Sequence, residues 1–149
     1  MRLEDEIQQS KFEDEYHKLM VNLMFTGSWL SIRQIQFFRN YDISPQQFNI
    51  LRILRGQFPK PASVNLLIER MLDKMSNASR LVDKLYAKKL VERKKNKEDG
   101  RQVDVLLSKK GFKLLEQIDK DIRIFEANLN KLEKNEAALL SDLLDKMRG

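Results

Sequence analysis

The 149-residue sequence lacks cysteine, a long apolar run and a signal-peptide pattern. The absence of cysteine excludes disulfide bonds, thiolate catalysis and cysteine-based redox sensing. The most apolar stretch, residues 19–32, is too short and too often interrupted by polar residues to span a bilayer. Residues 1–6 are largely acidic and lack the apolar core of a secretory signal. We therefore expect a cytoplasmic protein.

The chain also has few residues suited to catalysis. Its only histidine, His17, has no catalytic partner type nearby in the sequence, and the acidic residues 13–15 are expected to form a solvated helix face. The sequence contains neither a glycine-rich phosphate loop nor the spacing of zinc ligands. These absences predict a protein that is not an enzyme and that needs no metal or cofactor.

What the sequence does contain is a concentration of positive charge. The whole chain has a formal net charge of +6, and residues 84–101 contain eight basic and three acidic residues, a net charge of +5. A concentrated basic patch attracts phosphate groups, because binding releases condensed counterions from nucleic acid. The patch favours a nucleic-acid partner, although a charged hairpin tip can also be simply solvated.

A predicted helix lies just before and partly within this patch. Four apolar residues recur at helical spacing and predict one buried face: Ala78, Leu81, Val82 and Leu85. The outward side carries hydroxyl, amide, guanidinium and ammonium groups, which can reach base edges and phosphates. Its residues are Ser76, Asn77, Arg80, Asp83 and Lys84. An ordinary amphipathic helix with a solvated face is the alternative interpretation.

A β-hairpin is predicted after this helix. Residues 90–93 begin one strand, and residues 102–107 alternate polar and apolar types like a half-buried second strand. Asp99 and Gly100 form a turn signal between them, because glycine accepts a positive φ without steric cost. The predicted order is a helix followed by a hairpin with a basic tip, which suits DNA binding.

The N-terminal half predicts further helices. One long helix is expected to begin between Leu3 and Lys11 and to continue toward Arg39. Ser44, followed by proline and then glutamine, predicts the start of the next helix, and Gly56 is expected to end it.

Three more helix starts are predicted from capping residues. Residues 63–71 form a short helix, and Asp73 is expected to cap the helix that follows. Ser108 is expected to cap a long helix over residues 109–129, and Asn135 to cap a last one.

Four motifs, in order, resemble the MarR family of bacterial transcription regulators. They are residues 81–85 (LVDKL), 90–93 (LVER), 99–101 (DGR) and 107–111 (LSKKG). The resemblance implies a winged helix-turn-helix, mainly α with a small β-hairpin wing (an α+β fold), flanked by N- and C-terminal dimerisation helices. Two positions depart from the family pattern, which has glycine where this chain has Lys89 and often in the turn at residues 71–75. A left-handed Lys89 would cost roughly 1–2 kcal/mol.

The outward helix face and the wing together supply the candidate DNA contacts. These are Ser76, Asn77, Ser79, Arg80, Lys84, Lys95, Lys97 and Arg101. The resemblance implies that Arg101 enters a minor groove. It also implies that Asp99 stabilises the wing by holding the Arg101 side chain in place.

The same resemblance implies the organisation of the chain. We expect a single domain over residues 1–149, with a DNA-binding lobe at about 44–108 and dimerisation helices at about 3–40 and 109–149. The expected function is a sequence-specific regulator of double-stranded DNA, a repressor acting as a homodimer on a pseudo-palindromic operator. One alternative is that the terminal helices cover only their own core. Another is a winged-helix protein-interaction module that does not read DNA sequence.

Family members commonly bind small aromatic molecules, so the resemblance also implies an effector. The aromatic residues expected to line its pocket are Trp29, Phe37, Tyr41 and Phe48. Aromatic residues at helical spacing also serve simply as core, and that alternative stays open here.

Overall fold

The computed structural model describes residues 1–96, 103–129 and 131–149. Across these ranges it consists of helices and a small sheet, in the order α1 (Leu3–Ile7), α2 (Glu15–Arg39), α3 (Pro45–Gln57), β1 (Ala62–Ser63), α4 (Val64–Arg70), α5 (Ala78–Ala87), β2 (Val91–Lys95), β3 (Val103–Leu107), α6 (Lys109–Leu129) and α7 (Lys134–Arg148). This order confirms the predicted mainly helical fold with a hairpin wing. No helix within the described ranges is long and apolar enough to cross a membrane.

The sheet has three antiparallel strands in the order β1-β3-β2. The predicted hairpin is confirmed, with Val91 opposite Leu107 at its base and Lys95 opposite Val103 toward its tip. Strand β1 pairs Ala62 with Val105 on the other edge of β3. The sequence did not predict β1, because two residues are too few to show an alternating pattern.

The chain divides into two compact units, residues 1–113 and 114–149. The core of the first unit is built around α3, which buries Ile50, Leu51 and Leu54. Helix α4 adds Leu67, and the central strand adds Val105. Helices α4 and α5 form the helix-turn-helix. Helix α5 packs on α3, α4 and β2, and this core holds it against the sheet, because close-packed interiors resist displacement.

Helix α3 begins with the capping box that the sequence predicts. The Ser44 hydroxyl accepts a hydrogen bond from the Gln47 backbone N–H at 3.1 Å, and the Gln47 side-chain oxygen accepts one from the Ser44 backbone N–H at 3.0 Å. This reciprocal pair explains how the polar Gln47 is buried. The prediction that Gly56 ends α3 was wrong. Gly56 lies inside the helix, which continues to Gln57.

The N-terminal helix is divided, contrary to the single helix predicted. Helix α1 ends at Gln8, which has a left-handed backbone with φ of 53°. Helix α2 starts anew because the Asp14 carboxylate accepts the His17 backbone N–H at 2.7 Å, which makes Asp14 its N-cap. Residues 13–15 are therefore a helix start rather than one acidic helix face. The Glu4 carboxylate in α1 contacts Lys18 in α2 at 2.7 Å.

The second unit contains most of α6 and all of α7. Ser108 caps α6 as predicted, since its hydroxyl accepts the Gly111 backbone N–H at 3.0 Å. The predicted cap of α7 was wrong. Glu133, not Asn135, caps the helix, in a capping box whose second member is Glu136. A carboxylate one residue before the helix can accept the N3 amide, and Asn135 already lies inside the first turn.

Candidate nucleic-acid interface

Helix α5 forms because one of its faces is apolar and its N-terminus is capped. Ala78, Val82 and Leu85 are buried, as the sequence predicts. The Asn77 side-chain oxygen accepts the Arg80 backbone N–H at 3.0 Å and so satisfies one free donor of the first turn. The prediction that Asp73 caps this helix was wrong, because Asn77 is the residue directly before it.

Asp73 instead closes the turn between α4 and α5. Its carboxylate accepts hydrogen bonds from the Ser76 hydroxyl at 2.7 Å, from the Met75 backbone N–H at 3.0 Å and from the Gln46 amide at 3.4 Å. These bonds, that of Ser76 above all, lower the pKa of Asp73 from its usual 3.8. The Asn49 side chain accepts the Leu72 backbone N–H at 2.9 Å. Side chains of α3 thus fix a turn that has no glycine.

The outward face of α5 carries three exposed candidate residues, Ser79, Arg80 and Lys84. Within the described ranges no side chain pairs with the Arg80 guanidinium or the Lys84 ammonium. The two candidates before the helix differ, because Ser76 donates to Asp73 and the oxygen of Asn77 serves as the cap. Arg80 and Lys84 are therefore the groups of α5 that remain available to a partner.

The C-terminus of α5 ends in a Schellman motif. The Lys89 backbone N–H donates to the Tyr86 carbonyl at 2.8 Å, and the Leu90 N–H donates to the Leu85 carbonyl at 3.0 Å. Lys89 has a φ of 60°, the left-handed conformation for which glycine is favoured. The helix thus ends in a glycine-type conformation although lysine occupies the position.

Residues at the start of α6 hold this ending in place. The Ser108 hydroxyl donates to the Lys89 carbonyl at 2.8 Å, and the Lys110 ammonium donates to the Lys88 carbonyl at 2.9 Å. Both bonds satisfy carbonyls that the helix leaves free. Gly111 is required because a Cβ there would overlap the Leu90 carbonyl oxygen. The motif at residues 107–111 therefore has a structural role behind the recognition helix.

The wing strands bring further basic side chains beside α5. Lys94 and Lys95 are exposed on β2. Arg93, on the same strand, forms an ion pair with Asp83 of α5, and its guanidinium lies 4.9 Å from the centre of the Tyr86 ring. This contact braces the helix against the wing. The predicted tip residues Lys97, Asp99 and Arg101 lie outside the described residues.

Two acidic residues near this face are neutralised. Asp83 is paired with Arg93, and Asp42 is paired with Lys88, whose ammonium lies 3.0 Å from its carboxylate. Sequence reasoning missed both pairs, since each joins separate elements and no spacing signal reveals them. Because these acids are paired, Arg80, Lys84, Lys94 and Lys95 set the charge of the surface, which is a basic face suited to phosphates.

A cavity of about 780 Å³ lies beside this face, between α2, α3 and α5. Its wall includes the cationic residues Arg39, Lys84 and Lys88 and the apolar residues Ile35 and Leu81.

None of the four predicted effector residues lines this cavity. Phe48 is buried and packs on Phe38, with ring centres 4.5 Å apart. The ring centres of Phe37 and Tyr41 are 5.5 Å apart. Trp29 is covered by the Arg33 guanidinium at 4.6 Å. Ring contacts of this kind are typical of packing between aromatic side chains and their neighbours.

The fold and the exposed basic face together define a winged helix-turn-helix protein of the DNA-binding class. Residues 41–102 match the model of the MarR family. Over this region the chain is similar to the MarR family of transcription regulators. No curated protein sequence shows significant similarity to it.

Solved structures of transcription regulators share this fold. A MarR-like transcription regulator from Bacillus cereus is 28% identical, with 90% of this chain and 96% of that chain covered and a TM-score of 0.79. A mutant MarR from E. coli, complexed with operator DNA, is 24% identical over 93% of this chain and 99% of that chain, with a TM-score of 0.78. BpsR from Bordetella bronchiseptica, whose DNA binding is regulated by 6-hydroxynicotinic acid, is 21% identical. The match covers 85% of this chain and 89% of that chain, with a TM-score of 0.74.

Proposed function

We propose that the protein is a repressor that binds a pseudo-palindromic operator in double-stranded DNA as a homodimer. The observation that carries the proposal is the outward face of α5, where Arg80 and Lys84 are exposed and have no partner among the described residues. A guanidinium on a recognition helix can bond guanine through two parallel hydrogen bonds, and an ammonium can bind phosphate. In this proposal Arg80 reads a base and Lys84 contacts the backbone.

The wing completes the proposed interface. Lys95 extends the basic face along β2. Lys97 and Arg101, which follow it in the sequence, are proposed to reach the flanking minor groove, with Asp99 holding Arg101. At the N-terminus of α5, phosphates or base edges are proposed to be contacted by Ser76, Asn77 and Ser79. Ser76 and Asn77 would use the donors and acceptors that their internal hydrogen bonds leave free.

Exposed apolar residues support the homodimer. Helix α7 exposes Leu139, Leu143 and Met147 at intervals of four residues, which places them on one face. Helix α2 exposes Met20 and Met24 in the same way. Such rows are costly in water and are covered when a second copy binds. The domain proposed from the sequence, with dimerisation helices on both sides of a DNA-binding lobe, makes use of both rows.

A small aromatic effector is part of the proposal. Lys88 in the wall of the cavity beside α5 is paired with Asp42, which leaves Arg39 and Lys84 for an acidic substituent, and the apolar walls suit a ring. Because Lys84 lies both on its wall and on the outward face of α5, an occupant would alter a proposed DNA contact. Binding that differs between the free and the DNA-bound protein would shift the equilibrium toward release.

One experiment tests the central claim. Genomic fragments bound by the purified protein are selected and sequenced, and the affinity for the best fragment is measured at several salt concentrations. We expect a two-fold related sequence and an affinity that falls steeply with salt, since several phosphate contacts release counterions. Equal binding to all fragments, or an affinity that salt does not change, would contradict the proposal. The matched control is the Arg80→Ala variant on the same fragments.

A further inference from the structure

Two large apolar side chains stand exposed in the turn before α5. Met75 has 94% of its surface exposed and Leu72 has 86%, the two largest exposed fractions among the large hydrophobic side chains in the described part of the chain. Single exposed apolar residues are ordinary, but two in one short turn form a small patch. Neither side chain contributes burial to the fold of the protein.

The backbone beneath these side chains is held firmly. The Leu72 N–H donates to the Asn49 side chain at 2.9 Å, and the Met75 N–H donates to the Asp73 carboxylate at 3.0 Å. The patch therefore has a defined position, and binding a partner would not cost conformational entropy to order the turn.

The polar groups of the same turn point to internal partners. The Ser76 hydroxyl donates to Asp73 at 2.7 Å, and the Lys74 ammonium donates to the Ile68 carbonyl at the end of α4 at 3.3 Å. The exposed side chains of the turn that have no partner within the described part of the protein, Leu72 and Met75, are both apolar.

The position of the patch identifies that partner. Met75 lies two residues before Asn77, the cap of α5, and the outward guanidinium of Arg80 is on the first turn of that helix. In a helix-turn-helix, residues at the N-terminus of the recognition helix meet base edges in the major groove. The apolar group displayed there is the 5-methyl of thymine, which distinguishes a T·A pair from a C·G pair. A thioether chain is flexible enough to pack on it.

We propose that Met75 packs on a thymine 5-methyl group in each half-site, with Leu72 beside it, and so determines part of the sequence specificity. This inference rests on the proposed DNA-binding function and adds a reader that is not a hydrogen-bonding residue. It also explains why the turn carries apolar residues where it faces solvent.

The test uses the full-length protein and the operator fragment that genomic selection provides. Each thymine of one half-site is replaced in turn by deoxyuridine, which lacks only the methyl group. For the wild type we expect about a three- to five-fold loss of affinity at one or two positions, the effect of one apolar group left uncovered. For Met75→Gln we expect weaker binding to the thymine operator and no further loss at those positions.

Three further variants control the test. Met75→Leu retains an apolar group and should retain the methyl dependence, and Leu72→Ala should reduce it in part. Ile68→Ala removes an exposed apolar side chain of α4 and should leave the pattern of methyl dependence unchanged. Thermal unfolding of each variant checks that the fold is intact.

The outcomes separate this inference from the proposed function. If the operator is bound and Arg80→Ala weakens binding, but no uracil position depends on residue 75, the inference is wrong and the DNA-binding proposal stands. The same holds if the methyl dependence is equal in all variants, or if a protein partner and not DNA requires Met75. If no fragment is selected at all, the proposed function itself fails and the inference fails with it.

Discussion

Gly111, in the first turn of α6, lies directly against the carbonyl oxygen of Leu90, the last residue of the Schellman motif that ends α5. A Cβ at this glycine would overlap that oxygen and approach the Cδ1 atom of Leu107 to 2.7 Å. The contact fixes the distance between the start of α6 and the base of the wing. It links a glycine of α6 to the position of α5.

The first prediction follows from this contact. Gly111→Ala should lower the free energy of unfolding by about 1–3 kcal/mol, the usual cost of overpacking, because backbone and a buried leucine must move. Urea denaturation measures the effect. The matched control is Gly56→Ala, where nothing lies within 4 Å of the added carbon and the helix should gain up to about 1 kcal/mol. Equal stability of the two variants would show that the Leu90 contact is not tight.

A second prediction concerns Lys89. Its left-handed backbone costs roughly 1–2 kcal/mol, and glycine would remove that cost while losing about 0.5–1 kcal/mol of chain entropy. Lys89→Gly should therefore stabilise the protein by about 0.5–1 kcal/mol in thermal or urea unfolding. Lys89→Ala removes the same charge but keeps the Cβ and should give no such gain. If Lys89→Ala were also more stable than the wild type, the stabilisation would come from removing the lysine charge and not from relieving the left-handed backbone.

The third prediction distinguishes a residue that recognises the base sequence from a residue that contributes to affinity for any DNA. Arg80→Ala should reduce the preference for operator over unrelated DNA by ~1–3 kcal/mol, because a base contact is lost. Arg101→Ala should weaken binding to both kinds of DNA more evenly. Competition binding with labelled operator measures the two effects. Arg80→Lys keeps the charge but not the paired hydrogen bonds, so its preference should stay low. Wild-type behaviour of both alanine variants would refute the assignment.

A fourth prediction concerns the turn that Asp73 closes. Its pKa is lowered in the folded protein, so its stabilising contribution is present above the unfolded value of 3.8 and disappears as the pH falls through the lower folded value. Asp73→Asn should be less stable than wild type at neutral pH, and the difference should shrink in acid below the unfolded value.

The chief donor to Asp73 provides the control for this experiment. Ser76→Ala removes the hydroxyl that contributes most to the shift, so an NMR titration should show the Asp73 pKa rising toward 3.8. An unchanged titration curve would mean that the hydroxyl is not the cause.

The fifth prediction tests the dimer. Leu139→Glu combined with Leu143→Glu places two charges on the exposed apolar face of α7 and should shift the protein to a monomer in sedimentation velocity. Loss of the second half-site should weaken operator binding by roughly 10²-fold or more. Ser141→Glu, on another side of the same helix, should leave both properties unchanged. A wild type that sediments as a monomer would refute the dimer outright.

Local sequence patterns were sufficient for most of the fold. The apolar spacing of Val82 and Leu85 predicted α5, the box at Ser44 predicted the start of α3, and alternation predicted the hairpin. Each of these signals depends on neighbours a few residues apart. The failures at Asp73 and Asn135 were also local, because several polar residues near a helix start can cap it and the pattern does not choose among them.

The candidate site was predictable only in part. Arg80 and Lys84 were identified because their spacing sets them opposite an apolar stripe. The sequence did not identify the partners that neutralise Asp83 and Asp42, or the hydrogen bond that engages Ser76. These contacts depend on how α3, α5 and β2 pack. The roles of the individual DNA-contact residues stay predictions.

The sequence by itself determined the order of helices and hairpin, the concentration of positive charge and the family resemblance, because periodicity, turn residues and short motifs are properties of the chain. Tertiary structure alone decided which polar groups are free. Packing brings Arg93 to Asp83, Lys88 to Asp42 and Gly111 to Leu90, and these pairs are 10, 46 and 21 positions apart in the sequence. Contacts at such separations depend on the folded path of the backbone, which no local pattern encodes.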